Sequence, residues 1–509
     1  MKVLLVQPPR FYWPFISEGD NYLLPQALPY LAGAVREKGY EVKVIDCLPE
    51  KIGWESLAKI ISEEKPQVVA AGESHALYAH EANRLFRLAK EIDPKIITVA
   101  GGVHFTNYAD GSLAGNRDLD YIVVGEGEAT FPALLEGLAE GDGHHQEIPG
   151  IAFREEDKIF HTPPRALIPD LDQLPLPAYD LLPMDLYGKS RLLFSPGGTT
   201  IHHSRGCVSQ CKFCVWWVQM AERTEQNGQI VLNPKWRTKS VERTISEIEI
   251  LSRKYRKNCL VFTDDTWNVD PQWNKTFAEA LIRENLGIKW FAFMRADFIL
   301  RDEQEGIFEK MVRSGLSHVC IGVERAEDDQ LKDFGKNFYS ADKTRRCFEL
   351  LRRKYPSVFR QATFIVGTRE ETRESMQSQL EFAKELKADY PAFHPLTPVP
   401  GTELWEEANH NGWIEVKDFR SYDWMTPVMS SRFLTRPEIE RGLLELNWRF
   451  VRASWLLKGL FSRGAYKRNL YLWWIWVVLK LSWNSFWQRF NPFSRKEFTG
   501  LKKPAWYDD

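Results

Sequence analysis

Short β-rich runs alternate with amphipathic helical stretches along most of this chain, and they do so in two separate blocks. In the first block, residues 1–140, the β-rich runs are 3–7, 41–46, 67–71, 96–100 and 121–124, with helical patterns such as 79–91 between them. Alternation at this spacing calls for parallel strands joined by crossover helices, so a doubly wound, Rossmann-like α/β sheet is expected. Residues 141–190 break the pattern. They are rich in Pro, Gly, Asp and His, and LPLPAYDLLP has the composition of a linker. The alternation resumes over 191–410. Strands are expected at 199–203, 259–263, 290–294, 318–323, 362–366 and 392–396, and helices at 241–255, 274–285, 305–314 and 340–353. A second α/β unit follows, a full or partial (β/α) barrel. Residues 411–509 form a helical C-terminal region.

Charge and cysteine usage narrow the classes of function. The formal net charge of the 509-residue chain is -2, which points to no polyanionic partner and no nucleic acid. Seven cysteines, three of them within residues 207–214, do not resemble a secreted disulfide framework, and a reducing cytoplasm is expected. The N-terminal run MKVLLVQPPR reads as a first strand rather than a signal peptide. No stretch approaches the ~20 apolar residues of a spanning helix.

The sharpest chemical signal is SRGCVSQCKFCVWW, residues 204–217, which sets Cys207, Cys211 and Cys214 at C-x3-C-x2-C after a strand. Thiolates bind iron–sulfur clusters, and a cubane normally takes four of them. Three close cysteines would fill three irons and leave the fourth open to a small chelating ligand. Zinc is the rival, with His202 or His203 completing the ligand set. Cys47, Cys259, Cys320 and Cys347 lie singly in apolar patterns and read as core. Glycines follow two strands of the first block, at Gly101-Gly102 and at Gly125-Glu126-Gly127-Glu128. Ligands of doubly wound sheets sit at such strand ends, where glycine lets the backbone approach; tight turns alone are the other reading.

At these residues the chain resembles the radical S-adenosylmethionine (SAM) superfamily. The resemblance implies that the three cysteines hold a 4Fe–4S cluster whose open iron binds SAM, and that reductive cleavage yields a 5′-deoxyadenosyl radical. It places Phe213 beside the SAM adenine. FTDDTWNVD, residues 262–270, resembles the segment that meets the SAM amino group, with Asp264 and Asp265 where many relatives carry GGE; a helix N-cap is the alternative use of these aspartates. MRADFILRDE supplies Arg295 and Asp297, and HVCIGVERAEDDQLKDFGK supplies Glu324, which would face the SAM ribose or methionine. The first block resembles the cobalamin-binding domain that precedes this barrel in one large class, with the nucleotide tail lying against Gly101, Gly102, Gly125 and Glu126. The D-x-H-x-x-G motif is missing: Asp46 ends a strand, but no histidine follows two residues on. Cobalamin would then bind without a histidine from that loop.

Within that class the chain is similar to the anaerobic magnesium-protoporphyrin IX monomethyl ester oxidative cyclase group, through ALYAHEANRLFRLAKEIDP, SHVCIGVE and EVKDFRSYDWMTPVM. This implies oxidative cyclisation of a large apolar substrate such as a porphyrin, with reduced ferredoxin or flavodoxin as electron donor. Two alternatives stand: a C-methyltransferase using methylcobalamin on a tetrapyrrole, hopanoid or other apolar substrate, and a non-catalytic cobalamin or iron–sulfur sensor.

The tail changes character. Residues 446–496 hold ten basic side chains, no acidic one and seven tryptophans. The apolar run 470–479 is roughly 15 Å of helix, too short to span a bilayer. Two expectations follow. Either the tryptophans pack on the barrel as a helical cap, or the segment makes peripheral contact with the inner face of the membrane.

Overall fold

The computed structural model describes residues 1–13, 17–73, 75–141, 144–490 and 501–509. Seven strands form the first sheet: β1 Lys2–Gln7, β2 Glu41–Asp46, β3 Val68–Gly72, β4 Ile97–Gly101, β5 Tyr121–Val123, β6 Ile151–Glu155 and β7 Lys158–His161, in the order β2-β1-β3-β4-β5-β6-β7. The pairs among β1–β5 are parallel. β3–β5 and the centre of β1 are apolar at nearly every position because both faces are covered, while β2, at the edge, carries Glu41, Lys43 and Asp46. In β1, Val3 and Leu5 enter one core with Leu28, Ala32 and Val35, while Leu4 and Val6 enter another with Trp54, Leu57 and Ile61. Helix Ala79–Ile92 buries Ala82, Leu85, Phe86 and Ala89, the helical spacing of one inward stripe.

The segment expected to be linker carries more structure than its composition suggests. β6 and β7 form an antiparallel hairpin on β5 and extend the first sheet at its edge. Ile151 and Phe153 point into the core, and the turn residues between the two strands are polar.

The second sheet has six parallel strands in the order β17-β16-β15-β14-β13-β8. These are β8 Gly198–Ile201, β13 Cys259–Phe262, β14 Lys289–Met294, β15 Leu316–Glu324, β16 Phe359–Val366 and β17 Tyr390–Pro395. β8 and β17 are its edges, so this is a partial barrel. Between β8 and β13 the chain makes β9 Ser204–Gly206, a hairpin of β10 Glu222–Gln226 and β11 Gln229–Asn233, and β12 Trp236–Thr238, which pairs antiparallel with β9. Asn227 and Gly228 turn that hairpin, both with positive φ, as a two-residue loop between twisted strands requires.

After the helix Glu403–His410 come three more, Arg436–Phe450, Ala453–Leu460 and Ala465–Phe490. The last lies across the N-terminal ends of the second sheet. Trp474 stacks on Tyr390 at 3.6 Å, and Trp473 and Val477 meet Leu192 and Leu193 before β8. Its anchor is Asp389, whose carboxylate accepts from Arg360 at 2.8 Å, from Lys467 Nζ at 2.7 Å and from the Tyr471 hydroxyl at 2.8 Å. The inner face of the tail is therefore a cap on the barrel. Trp483, Trp487, Arg489, Arg495 and Lys496 lie outside the residues whose side chains are described. Among the described residues no helix is long and apolar enough to cross a membrane.

Burial works against ionisation of Asp389, but the Arg360 and Lys467 charges prevail and hold it at about 2. A carboxyl depressed in the folded state contributes stability above its unfolded value near 4, and that contribution is lost only as pH falls through about 2. Asp389→Ala leaves two buried cations without their partner and is expected to cost about 3–5 kcal/mol at neutral pH. A urea or thermal melt reads this as an earlier transition; an unchanged midpoint would mean that the tail does not depend on the anchor.

Candidate functional site

The three cysteines sit on the loop that leaves β9. Gly206 has φ +86, and a Cβ there would collide with the Lys235 carbonyl just before the paired strand β12, so the turn into Cys207 requires glycine. Cys207 and Cys211 are buried, Cys214 is half-buried, and all three are free thiols. Ser209 N donates to Cys207 Sγ at 3.4 Å, and Thr266 Oγ1 lies 3.3 Å from the same sulfur. The Trp217 indole donates to the Cys211 carbonyl at 3.0 Å and holds the loop against the helix Val215–Gln219. Burial pushes the Cys211 thiol up to about 11 and Cys214 further, so a metal that takes them as thiolates must displace protons.

The barrel brings the other expected residues round this loop. Arg295 donates through Nη1 to Ser209 Oγ at 2.9 Å, pairs with Asp297 and lies 3.6 Å over the Phe338 ring. Glu324 sits at a bulge between β15 and β16 with φ +61, a conformation side chains rarely adopt. Its carboxylate accepts from Lys336 Nζ at 2.7 Å, and Lys336 in turn acts electrostatically on Cys211. Phe213 packs on Phe334 at 5.1 Å beside Ile365 and Leu396.

The two aspartates after β13 are used differently. Asp264 is fully buried and accepts from Ser204 N and Oγ at 2.6 Å and from His203 N at 3.1 Å, with His203 Nδ1 2.7 Å away. Burial opposes its charge, but His203 and Ser204 hold its pKa below the usual value. Asp265 lines the cavity described next; burial, reinforced by Asp264, pushes it up to about 7. His203 also stacks on Trp273 at 3.9 Å, with its Nδ1 turned to Asp264. Among the described residues, no three His, Cys, Asp or Glu side chains converge on the position of a single metal ion.

A cavity of about 760 Å³ lies between the carboxyl ends of the two sheets. One wall is Gly72, Gly101, Gly102 and Gly125 from the first sheet; the other is His202, Gly206, Trp216, Asp265 and Phe293 from the second. Gly102 has φ +84, and a Cβ would strike the Glu73 backbone at 2.7 Å; at Gly125, φ +86, the space a Cβ would enter is open. The first wall is thus a bare-backbone cradle suited to a bulky ligand lying flat on strand ends. Asp46 lines it with its carboxylate taken by the Tyr187 hydroxyl at 2.8 Å and Leu48 N at 3.3 Å. Two histidines also line the cavity, His75 and His202, and neither belongs to the loop after Asp46. Burial, aided by Arg10, lowers His75 to about 4.

Glu126 does not offer its charge to the cavity. It accepts from Arg205 at 2.8 Å, Arg237 at 3.0 Å and the Ile168 amide at 2.7 Å, and Glu128 pairs with Arg205 as well. Burial works against the Glu126 charge, yet the two guanidiniums outweigh it and hold its pKa below the ordinary value. Sequence reasoning missed Arg205 and Arg237. The signal was present in part, since Arg205 stands two residues before the first cysteine and faces an acidic glycine loop in the first block.

This fold and site define a class. Residues 14–135 match the model of the B12 binding domain, and residues 201–383 match the radical SAM superfamily. An uncharacterized methyltransferase of Pyrococcus horikoshii, PH0819, is 32% identical over 473 residues, covering 92% of this chain and 96% of that protein. The chain therefore belongs to the radical SAM family whose members carry a B12-binding domain ahead of the barrel, and it is a cobalamin-dependent radical SAM enzyme with cobalamin, SAM and a 4Fe–4S cluster as cofactors. The anaerobic magnesium-protoporphyrin IX monomethyl ester cyclase of Rubrivivax gelatinosus is 27% identical, covering 92% of this chain and 80% of that one. The solved structure of the radical SAM methyltransferase TsrM from Kitasatospora setae, with cobalamin and a [4Fe–4S] cluster bound, has the same fold at TM-score 0.68 and 16% identity, covering 94% of this chain and 98% of that chain.

Proposed function

We propose that the chain is a radical SAM C-methyltransferase that places a methyl group on a carbon of a large apolar substrate. The observation that carries the reading is the shared cavity: the glycine cradle of the first sheet and the Asp265 and Gly206 wall of the second face one space, so both cofactors would reach the same substrate atom. Methyl transfer takes precedence over the oxidative cyclisation implied by the sequence resemblance, because the 32% identical relative, covered over 96% of its length, is described as a methyltransferase.

In this reading Cys207, Cys211 and Cys214 would hold the cluster, with a position left open for SAM. When bound, the cluster and SAM supply a 5′-deoxyadenosyl radical, and cobalamin supplies the methyl group. Phe213 backs the adenine. Asp265 would meet the SAM ammonium, which an acidic group suits. Arg295 and Glu324 border the SAM site from β14 and β15. Asp264 positions the loop by holding Ser204 and His203. Gly101, Gly102 and Gly125 would admit the cobalamin tail, and Glu126 anchors the cluster loop through Arg205. Reduced ferredoxin or flavodoxin delivers the electron.

A second reading, oxidative cyclisation of a porphyrin-like substrate, draws support from the 27% identity to the Rubrivivax cyclase over 92% of this chain. Products separate the two. Reconstituted enzyme given SAM, a reductant and tetrapyrrole or hopanoid candidates is expected to form S-adenosylhomocysteine together with 5′-deoxyadenosine. Only 5′-deoxyadenosine would favour cyclisation, and neither product would leave a non-catalytic sensor.

A further inference from the structure

The tail helices cap the barrel with one face and leave the other face apolar. On Ala465–Phe490 the outward positions 465, 468, 472, 476 and 479 follow helical spacing. A surface helix normally carries polar side chains there. Here three of them are Leu472, Trp476 and Leu479, the last 62% exposed. Helix Ala453–Leu460 repeats the arrangement: Leu457, Leu460 and Phe461 face outward, Phe461 at 85% exposure. Gly459 lets the two helices pack tightly, since a Cβ there would enter the Tyr471 ring, so the two outward apolar stripes lie on helices in direct contact.

The rim of that surface is basic. Lys458, Arg463 and Arg468 are exposed beside the stripes, and Lys480 lies 5.0 Å over the Trp476 ring. From the neighbouring elements, Arg352 and Lys387 add positive charge near Lys458, while the Asp389 carboxylate is spent on Arg360 and Lys467 inside the protein. No acidic residue occurs between Glu445 and Glu497.

We propose that this surface docks on an anionic phospholipid bilayer, the leucines and aromatics entering the headgroup boundary and the basic rim meeting lipid phosphates. Interfacial helices combine basic residues with Trp, Phe and Leu in this way, and each basic residue near an anionic surface adds attraction that salt screens. A second copy of the chain is a poorer occupant, because it would bring one basic rim against another. The surface lies at the N-terminal ends of the second sheet, and the cavity lies at the carboxyl ends. Docking therefore holds the enzyme at the bilayer with its cavity facing away, which makes it an address rather than a lid.

Flotation of the full-length, cluster-reconstituted protein with vesicles tests this. Phosphatidylcholine vesicles are compared with vesicles that also contain phosphatidylserine. The expected result is co-flotation with the serine lipid that drops at high salt. Two variants, L457E/F461E/W476E and K458E/R463E/R468E, are expected to lose at least about tenfold in vesicle affinity while keeping wild-type melting and wild-type 5′-deoxyadenosine formation. The charge variant alters only exposed polar groups, so it keeps the test decisive if the apolar variant folds poorly. Absent flotation, equal flotation of wild type and charge variant, or a sedimenting dimer that the apolar variant dissolves would overturn the proposal.

Discussion

The variant with Cys207, Cys211 and Cys214 all changed to alanine loses its iron. Wild-type protein reconstituted anaerobically holds about four irons per chain, the stoichiometry of one cubane cluster, and the variant holds close to none. The loop makes few demands on these sulfurs for folding. Cys207 Sγ has Ser209 N and Thr266 as neighbours, and Cys214 is half-buried at a helix start. The variant should therefore melt near wild type while 5′-deoxyadenosine formation disappears. Iron and sulfide assays with the cluster absorbance check it. Cys320→Ala is the control, since Cys320 lies buried with Val261 and Phe291. A triple variant that kept its iron would place the cluster elsewhere in the chain.

Arg205→Met is expected to lower the stability of the seam between the two sheets. The guanidinium is buried, bridges Glu126 and Glu128 across the interface between the two sheets, and sits 6.0 Å from the Tyr30 ring. Removing one member of a buried ion pair leaves charge without compensation and costs about 3–5 kcal/mol. Glu126 keeps Arg237, whereas Glu128 loses the partner it has here. Denaturant unfolding of the apo chain reads the loss as a lower midpoint. Adding Glu128→Gln to the methionine variant should recover part of it, because the side chain left without a partner is then neutral, while Glu126 stays ionised against Arg237. If the single variant unfolded at the wild-type midpoint, the interface would owe its cohesion to its apolar contacts instead.

What was legible in the sequence followed the physics of local pattern. The parallel strands of both sheets announce themselves because strands covered on both faces must be apolar nearly throughout, as in VLLV of β1 and CLVF of β13. The β6–β7 hairpin was hidden because it is short and its second strand is mostly exposed. Asp264 and Asp265 are indistinguishable as letters. Both line the cavity, and the structure separates them by their partners: Asp264 accepts from Ser204 and faces His203, and its pKa is held down, whereas burial pushes Asp265 up. Glu126 looked like part of a ligand loop, but its charge is spent on arginines 79 and 111 residues away, a pairing that no local pattern reveals. The tail held both of its readings at once: Trp455, Trp473 and Trp474 pack inward, and Trp476 faces out.

The lattice of Glu126, Glu128, Arg205 and Arg237 also bears on how such enzymes can be recombined. A barrel joined to a different first unit, one without acids at those two positions, would inherit two buried cations with nothing to answer them. An exchange of first units between related enzymes is expected to keep its stability where the acids and the arginines of this seam travel together.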